Sequence, residues 1–282
     1  MISAVKVADT IARMRRARHG MRGTVGLVPT MGYLHEGHLS LVRRSRSDND
    51  HTVVSIFVNP TQFRPGEDLA HYPRDIPRDL GLLEELGTEV VFSPLPEEMY
   101  PAGSSSWAVV EQVTEPLEGA VRPRHFRGVA TVVAKLFHIV EPHRAYFGQK
   151  DAQQAVVIQK MVADLDFNLD VVVCPTVREP DGLAMSSRNV YLDPEQRRAA
   201  LVLHRSLQQA QRMYAAGERD AECIRKEMAC TVQSEHLAEA EYISVASPVT
   251  MEELDTVGGR ALVSLAVRIG NIRLIDNILL GE

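Results

Sequence analysis

The stretch that decides the fold is Val25–Arg44, with the sequence VGLVPTMGYLHEGHLSLVRR. It opens within the apolar run Thr24–Val28, whose β-branched residues are typical of a buried parallel strand. We expect Pro29 to stop that strand, and Gly32 and Gly37 to allow tight turns and a close approach of the backbone to a ligand. The stretch therefore predicts a strand, a glycine-containing turn and the start of a helix.

Two histidines, His35 and His38, stand in this turn, ahead of a predicted helix at Leu39–Ser47. A helix start offers free backbone N–H groups and a positive dipole end, which together with two imidazoles suit a polyphosphate. Two other interpretations compete with this one. The helical zinc signature H-E-x-x-H needs its histidines four apart, whereas these are three apart. A plain polar turn is favoured for an isolated pair, so the phosphate interpretation depends on finding other parts of a nucleotide site downstream.

Composition places the chain among soluble globular proteins and gives no sign of a nucleic-acid partner. It has 282 residues, of which 45% are hydrophobic and 24% charged, and its net charge is −6. No apolar run approaches membrane-spanning length, and the N-terminus lacks the apolar core of a signal peptide. The three cysteines fit neither a disulfide framework nor a zinc knuckle. We therefore expect a cytoplasmic protein with no membrane partner.

Alternating strand and helix patterns surround the HEGH turn. The sequence predicts an amphipathic helix at Val5–Arg18, with Val5, Ala8, Ile11 and Ala12 on its apolar side, and a strand at Thr52–Val58. A helix at Asp75–Leu86, with Gly87 as its C-cap, and a strand at Glu89–Phe92 follow. This alternation predicts an α/β fold, a Rossmann-like parallel sheet with helices on both faces. Such sheets bind ligands at the carboxyl ends of their strands, where both the HEGH turn and Asn59–Gln62 fall.

The middle of the chain has weaker patterns. We expect a loop at Leu95–Ser106, a strand or sheet edge at Trp107–Val113, and a basic loop at Glu118–Gly128 before an apolar helix at Val129–Ile139. For each arginine of the basic loop, a solvated surface position is the favoured interpretation.

Two further strands are predicted at Ala145–Phe147 and Leu169–Cys174. Gly148–Asp151 lies between them and leads into a helix, so that its polar residues follow a strand end directly. The loop Glu179–Leu192, rich in Gly, Ser and Arg, begins at the predicted domain boundary.

We predict a Rossmann-like domain at 1–178 and a smaller α+β domain at 179–282 that packs as a lid. The second domain is expected to hold helices at Pro194–Ala216 and Asp220–Leu237, and strands at Glu241–Val245, Ala261–Val267 and Ile272–Ile278. The C-terminal hundred residues contain no concentrated chemical motif, so we expect them to be mainly structural.

Most of the candidate chemical groups can donate hydrogen bonds or carry positive charge. They are His35, His38, Lys150, Ser186, Ser187 and Arg188, and Asp151 and Asp79 are nearby carboxylates. Taken alone, the GQKD and MSSRN segments are most simply plain loops. The sequence has no GxxxxGK[ST], no GxGxxG after a strand and no nucleophile elbow. A set of hydrogen-bond donors and cations that includes no protein nucleophile suits transfer at phosphorus, where catalysis consists of positioning the reactants and neutralising charge.

A resemblance to a known family joins these segments. PTMGYLHEGH resembles the ATP-binding signature of the pantothenate synthetase (pantoate–β-alanine ligase) family, within the nucleotidyltransferase superfamily that uses an HxGH element. The likeness continues, in the family's order, through IFVNPTQF, YPRD, RPRHFRGVATVVAKLF, YFGQKDAQQ and DGLAMSSRNVYL. Six blocks in register cover essentially the whole chain and make the match specific.

The resemblance implies an ATP-dependent condensation of (R)-pantoate with β-alanine to pantothenate, through pantoyl adenylate, with release of AMP and pyrophosphate. It implies catalytic roles for His38, as proton donor, and for His35, Lys150 and Arg188. It places pantoate against Gln62 and Gln154, and β-alanine near Gln62. The implied ATP-binding residues are Met31, Gly32, Tyr33, Leu34, His35, Glu36, Gly37, His38, Gly148, Gln149, Lys150, Asp151, Val177, Met185, Ser186, Ser187 and Arg188.

The resemblance also implies Mg²⁺ on the phosphates, with Asp79 on the metal side, and a homodimer. Some relatives carry adjacent acidic residues where this chain has Arg78-Asp79, and many have Glu where it has Gln149. Two alternatives remain, a nucleotidyltransferase that acts on a phosphorylated acceptor and a binding module with a decayed site. The first is disfavoured because glutamines, and not a set of arginines, stand at the expected acceptor pocket. The second is disfavoured because every charged or imidazole member of the set is present.

Overall fold

The structure, a computed structural model, describes residues 5–281 and divides into two compact units. The first unit comprises the described residues up to Glu111, together with Arg122–Gly148 and Val157–Pro175. The second comprises Gln112–Val121, Gln149–Val156 and the described residues from Thr176 onwards. The predicted domain limits, 1–178 and 179–282, stay a prediction.

The first unit is built on a six-stranded parallel sheet. Its strands are β1 (Lys6–Ala8), β2 (Val25–Thr30), β3 (His51–Ile56), β4 (Val90–Phe92), β5 (Arg144–Gly148) and β6 (Asp170–Cys174), in the spatial order β1-β4-β3-β2-β5-β6. From β2 the chain moves outward to β3 and β4, and it later returns to the other side of β2 with β5. The strand order thus reverses between β2 and β5, and ligands of such sheets bind beyond the carboxyl ends of the strands at this point. The predicted α/β class is confirmed.

Helices account for most of the remaining regular structure. They are α1 (Ile11–Gly20), α2 (Glu36–Asp48), α3 (Ile76–Glu85), α4 (Pro96–Met99), α5 (Glu118–Val121), α6 (His125–Val140), α7 (Ala152–Asp164), α8 (Pro194–Ala199), α9 (Leu201–Ala215) and α10 (Ala221–Gln233). Short 3₁₀ helices lie at Pro60–Gln62, Asp68–Ala70, Gln149–Asp151 and Ser187–Tyr191. Within residues 5–281, no helix is both long and apolar enough to span a membrane.

The second unit contains a three-stranded antiparallel sheet. Its strands β7 (Ala238–Ala246), β8 (Ala261–Ile269) and β9 (Ile272–Leu280) lie in sequence order. The apolar face of this sheet packs with α9 and α10, where Leu203, Leu207 and other side chains are buried. The predicted smaller α+β part of the fold is therefore confirmed.

The predicted helix at Val5–Arg18 is wrong in its first turn. Lys6–Ala8 form β1, which pairs in parallel register with Val90–Phe92 of β4. The helix begins only at Ile11, because the side chain of Thr10 caps it by accepting from the N–H of Arg13. The buried residue of this helix is Met14, which does not belong to the predicted apolar side. A three-residue edge strand is too short to show a periodic pattern in the sequence, so its extended conformation depends on the strand with which it pairs.

Pro29 does not stop β2, which continues through it to Thr30. Residues of β2 pair with β5 only at Gly26 and Leu27, whereas the register with β3 runs to Thr30. Pro29 thus lies where the strand has a partner on one side, a position that tolerates the missing N–H.

Four other predicted elements differ from the structure. Trp107–Val113 is not a strand, and the N–H of Ala108 is instead bound by the Thr131 hydroxyl of α6. The predicted loop at 95–106 contains α4, and the basic loop at 118–128 contains α5 and the first turn of α6. The predicted helix at 194–216 is interrupted at Ala200, whose C=O accepts from the N–H of Leu203.

Candidate active site

The HEGH segment forms the first turn of α2, and not a separate turn before it as predicted. His35 is the N-cap residue, with extended backbone angles, and its N–H donates to Nδ1 of His38 at 3.4 Å. The two imidazole rings lie 4.0 Å apart, centre to centre. Glu36 points to the helix surface, where it forms an ion pair with Arg43 that lowers the pKa of Glu36. The arrangement sets two imidazoles at the positive end of a helix, directly after a central strand.

The turn between β2 and α2 is held open by left-handed backbone conformations. Gly32 has φ of 85° and Tyr33 has φ of 51°. A Cβ at Gly32 would lie 3.0 Å from Ile56 Cγ2 and 3.2 Å from Asp79 Oδ2, so a side chain there would be both strained and crowded. The glycine therefore lets this turn approach β3 and α3 closely.

Asp79 of α3 is the buried acceptor that fixes this turn. Its side chain is 0% exposed. Oδ2 accepts from the N–H of Tyr33 at 2.7 Å, and Oδ1 accepts from the N–H of Leu34 at 2.8 Å. Burial raises the pKa of Asp79, while these two hydrogen bonds and the charge of Arg78 act in the opposite direction. A carboxylate in this position compensates backbone donors that would otherwise be buried without partners.

The same geometry does not fit Asp79 as a ligand of Mg²⁺. Both of its oxygens already accept from backbone N–H groups, and the buried side chain is closed to solvent. Among the described residues, no group of three or more His, Cys, Asp or Glu side chains is placed to hold a metal ion. We therefore assign no step to a metal at Asp79, contrary to the metal-side position that the resemblance implied.

Gln62 lies in the 3₁₀ turn that follows β3, and Asn59 orients it. Asn59 Nδ2 donates to Gln62 Oε1 at 2.9 Å and to the C=O of Gly128 at 3.1 Å, while Asn59 Oδ1 accepts from the Tyr100 hydroxyl at 2.9 Å. The Nε2 of Gln62 points to Met31 Sδ at 3.4 Å. The first unit thus brings the predicted acid-binding amide beside the predicted ATP-binding turn.

Helix α6 packs directly against this 3₁₀ turn. A Cβ at Gly128 would lie 2.5 Å from the C=O oxygen of Thr61 and 2.7 Å from the N of Gln62. His125 Nδ1 lies 2.9 Å from the C=O oxygen of Gln62. The absent side chain at Gly128 is therefore what allows α6 and the turn to come together.

Arg122 and Arg64 pin the segment after Gln62 through a shared carboxylate. Glu67 accepts from Arg122 at 2.7 Å and from Arg64 at 3.0 Å. Burial raises the pKa of Glu67, but the hydrogen bond and charge of Arg122, with help from Arg64, outweigh it and lower the pKa to about 2. Arg122 is thus part of a structural ion pair, whereas the sequence favoured a solvated position.

In the second unit, Gln149–Asp151 of the GQKD segment form a 3₁₀ turn that leads into α7. The Lys150 ammonium lies 3.7 Å from Asp151, and its side chain is partly buried. The backbone of this turn is bound by Asn277 of β9, which donates to the C=O groups of Gln149 and Lys150. Gln154 follows on α7, where it is partly buried.

The other predicted ATP-binding residues of this unit lie on a hairpin and its extension. The N–H of Met185 donates to the C=O of Val177 at 3.0 Å, which closes the hairpin. Ser186 then caps a 3₁₀ turn by accepting from the N–H of Arg188, and Ser187 in this turn is buried. The second unit therefore brings Val177 and Met185 together and places Arg188 one short turn away.

Comparison with known proteins decides the family. The family model described as Pantoate-beta-alanine ligase matches residues 6–279. The chain belongs to the pantoate–β-alanine ligase family.

Individual members of the pantoate–β-alanine ligase family match over nearly their full length. The pantothenate synthetase of Roseiflexus sp. (strain RS-1) is 61% identical over 276 residues, which are 98% of this chain and 99% of that relative. The solved pantothenate synthetase from Thermus thermophilus is 48% identical, with a TM-score of 0.94 over 97% of this chain and 99% of that one. A pantoate-beta-alanine ligase from Francisella tularensis, complexed with beta-gamma ATP and beta-alanine, is 36% identical, with a TM-score of 0.82 over 98% of each chain.

In this member of the pantoate–β-alanine ligase family, three residues that were not singled out as candidate contacts support segments that carry them, two in the first unit and one in the second. Asn59 orients Gln62, Gly128 admits the turn that carries it, and Asn277 binds the GQKD backbone. The position of Asn59 at the end of an apolar run, in the quoted block IFVNPTQF, was an available signal. Asn277 gave none, because its partners lie more than a hundred residues earlier in the chain.

Proposed function

We propose that this chain condenses pantoate with β-alanine at the expense of ATP, and forms pantothenate, AMP and pyrophosphate. The observation that carries the proposal is the pair of imidazoles, 4.0 Å apart, at the first turn of α2 directly after the central strand β2. This is a donor-rich anion site at the sheet position where nucleotide-binding folds take their ligands. Family membership supplies the two substrates besides ATP.

The reaction proceeds in two displacements. A carboxylate oxygen of pantoate attacks the α-phosphorus of ATP, the bond from that phosphorus to the β-phosphate bridging oxygen breaks, and pyrophosphate leaves with the electron pair. The amine of β-alanine then attacks the acyl carbon of pantoyl adenylate. The bond from this carbon to the phosphate oxygen breaks, AMP leaves, and the amine nitrogen gives up a proton. No protein nucleophile is needed, because the substrate carboxylate supplies the attacking atom.

His38 and His35 act on the phosphate chain in this proposal. Both imidazoles lie at the end of a helix whose N–H groups and dipole favour negative charge, and His38 serves as the proton donor to charge that develops during transfer. The turn residues Met31–Gly37 approach ATP through their backbone, since Gly32 and Tyr33 hold it in left-handed conformations. Lys150 and Arg188 neutralise the leaving pyrophosphate, with Gly148–Asp151, Val177 and Met185–Ser187 as further nucleotide contacts.

Gln62 and Gln154 bind pantoate through their amides, and Gln62 also lies near β-alanine. An amide suits a small hydroxy acid because it donates to a carboxylate and accepts from a hydroxyl. The Asn59 bond to Gln62 Oε1 fixes the amide orientation and leaves its Nε2 directed toward Met31 and the ATP-binding turn. Mg²⁺ enters this proposal as part of the nucleotide substrate. A homodimer in the cytoplasm is the further proposal that follows from family resemblance.

Product analysis with purified protein tests the proposal. With ATP, pantoate and β-alanine present, we expect AMP and pantothenate in equal amounts, and neither product when pantoate is omitted. Pantoate in the presence of ATP should also raise the melting temperature, because a ligand that binds only the folded state stabilises it. Transfer of the nucleotide to a phosphorylated acceptor without release of free AMP, and with no response to pantoate, would overturn the proposal in favour of a nucleotidyltransferase.

A further inference from the structure

Two adjacent buried polar residues, Asp276 and Asn277, interrupt the apolar pattern of β9. They are 2% and 4% exposed, respectively. Successive residues of a strand point to opposite faces of the sheet, so one side chain projects to each face. Asp276 follows Leu274 on the face of the second unit's apolar core, and Asn277 follows Arg273 on the other face. Burial of two such groups is unfavourable unless each finds hydrogen-bond partners.

Among the described residues, the side-chain partners of Asn277 all lie in the GQKD segment. Its Nδ2 donates to the C=O of Gln149 at 3.0 Å and to the C=O of Lys150 at 2.9 Å. Its Oδ1 accepts from Gln149 Nε2 at 3.0 Å. Three hydrogen bonds from one amide fix both the backbone and one side chain of the turn that presents Lys150.

Asp276 binds the hairpin that carries the other predicted nucleotide contacts. Arg178 donates to both of its carboxylate oxygens, at 2.6 Å and 3.0 Å, in a bidentate pair. The same guanidinium donates to the C=O of Gly182 across the hairpin at 3.0 Å and to the C=O of Asn277 at 3.4 Å. Arg178 is the next residue after Val177, and the hairpin ends at Met185. Asp276 therefore holds the hairpin from which Met185–Arg188 extend.

We propose that Asp276 and Asn277 are positioning residues for adenylate formation, which set Lys150 and the Val177–Arg188 segment against one rigid strand. The argument rests on the proposed function for the roles of Lys150 and Arg188. Apart from one bond from the N–H of Asn277 to Asp276 Oδ1, the side-chain hydrogen bonds of this pair go to the two candidate nucleotide-binding segments. A strand is a stiffer support than a loop for groups that must be fixed to within a fraction of an ångström.

Replacement of Asn277 separates positioning from general stability. Asn277→Ala removes three hydrogen bonds and leaves the C=O groups of Gln149 and Lys150 without this donor, so pantoate-dependent exchange of pyrophosphate into ATP should fall about tenfold. Attack of β-alanine on preformed pantoyl adenylate should change less than about twofold, because that step no longer needs Lys150. Asn277→Asp keeps the shape but loses the donor, and it should be as impaired as Asn277→Ala.

Ser264 provides a matched control on the neighbouring strand. It is the register partner of Asn277 in β8, it is 6% exposed, and its hydroxyl has no hydrogen-bond partner among the described residues. Ser264→Ala therefore changes a buried polar residue at the same level of the sheet without removing a bond. We expect its exchange rate to stay within about twofold of the parent protein.

A double-mutant cycle with Lys150→Ala decides the proposal. If Asn277 acts through Lys150, Asn277→Ala should cost less than about twofold in the Lys150→Ala background. A full, multiplicative loss in that background would overturn the proposal, as would equal losses in both half-reactions. If Asn277→Ala does not fold, Gln149→Ala replaces it in the cycle, because it removes the hydrogen bond from the partly exposed Gln149 side chain to Asn277. The loss of exchange in Gln149→Ala should again disappear in the Lys150→Ala background.

The affinity for ATP, measured by calorimetry without pantoate, keeps this test independent of the proposed function. We expect the same non-additive pattern in ATP affinity across the two single variants and the double variant. Absence of pantoate-dependent exchange in the parent protein would refute the proposed function alone. Unchanged ATP affinity and unchanged exchange in Asn277→Ala would refute the positioning role alone.

Discussion

His38 and Asp79 act on the same turn in different ways at the scale of single residues. His38 presents an imidazole at the first turn of α2, whereas Asp79 binds the backbone of Tyr33 and Leu34 from beneath. In the proposed function the first group contacts substrate, whereas the second acts through the turn. Replacement of each should therefore give a different kinetic result.

His38→Ala should lower turnover far more than it weakens ATP binding. A donor directed at charge that develops in the transition state contributes mainly to kcat, and loss of one such donor costs about 3 kcal/mol in other enzymes. Steady-state kinetics together with ATP binding by calorimetry measure the two effects. His138→Ala, at an exposed position of α6, is the control. A His38→Ala enzyme with nearly normal kcat would remove this residue from the chemistry.

Asp79→Asn should lower stability and raise KM for ATP without changing the Mg²⁺ requirement. The amide has one acceptor oxygen for two backbone N–H groups, so one buried donor faces an NH₂ group, at a cost of about 1–3 kcal/mol. Asp75→Asn is the matched control. Asp75 is the N-cap of α3, where Asn serves as well as Asp. A shift of half-maximal activity to higher Mg²⁺ in Asp79→Asn would instead restore the metal-side role.

At the scale of elements, α6 and the 3₁₀ turn Pro60–Gln62 form one assembly. Gly128 allows the helix and the turn to approach closely, and Asn59 donates a hydrogen bond to the Gly128 C=O at this contact. Glu67 and Arg122 form an ion pair next to the contact. The position of the Gln62 amide, which is proposed to bind pantoate, thus depends on a helix from a distant part of the first unit. This assembly supports one steric prediction and one electrostatic prediction.

Gly128→Ala should impair pantoate binding although alanine favours helices. The new Cβ would meet the backbone of Thr61 and Gln62 at 2.5–2.7 Å, so the turn must move and carry Gln62 with it. We expect a higher KM for pantoate and a lower melting temperature. Gly81→Ala in α3 is the control, because its Cβ would meet nothing within 4 Å and should stabilise the protein by up to about 1 kcal/mol. Equal behaviour of the two variants would contradict the close approach at Gly128.

The Glu67–Arg122 pair should make stability fall in acid. The pKa of Glu67 is about 2, below the ordinary value of 4.5, because the Arg122 and Arg64 bonds outweigh the effect of burial. A lowered pKa stabilises the folded state above pH 4.5, and this contribution disappears as the pH falls from 4.5 toward 2. It is at most about 3 kcal/mol. Urea unfolding at pH 6 and pH 3 should show the parent protein losing its advantage over Glu67→Gln, and a constant difference would contradict this.

At the scale of the whole molecule, the sequence predicted the elements whose signal is local. The runs at 24–28 and 52–58 are apolar and β-branched, so β2 and β3 were evident, and the HEGH signature followed one of them directly. β1 was missed because three residues are too few to show a periodic pattern, and their strand conformation depends on pairing with Val90–Phe92. Trp107–Val113 has strand-like composition, but no strand of the described sheets pairs with it.

Contacts between distant segments limited the prediction of the site. Asn277 lies 127 residues from Lys150 in sequence, so no local pattern links the C-terminal strand to the GQKD turn. The family resemblance implied that Asp79 lies on the metal side, and its burial and its two backbone donors, which favour a structural role, have no signal in the sequence. Specific contacts of this kind follow from tertiary packing, which residue types alone do not specify.

The order of the chemistry is the central claim, and isotope exchange tests it most directly. The proposed function uses cations and imidazoles for phosphate, amides for a small acid and no protein nucleophile, so pantoate should be activated as a free mixed anhydride before the amine reacts. Labelled pyrophosphate should therefore enter ATP when the protein, Mg²⁺ and pantoate are present and β-alanine is absent, and omission of pantoate should abolish the exchange. Exchange that strictly requires β-alanine would contradict the stepwise mechanism, even if pantothenate proved to be the product.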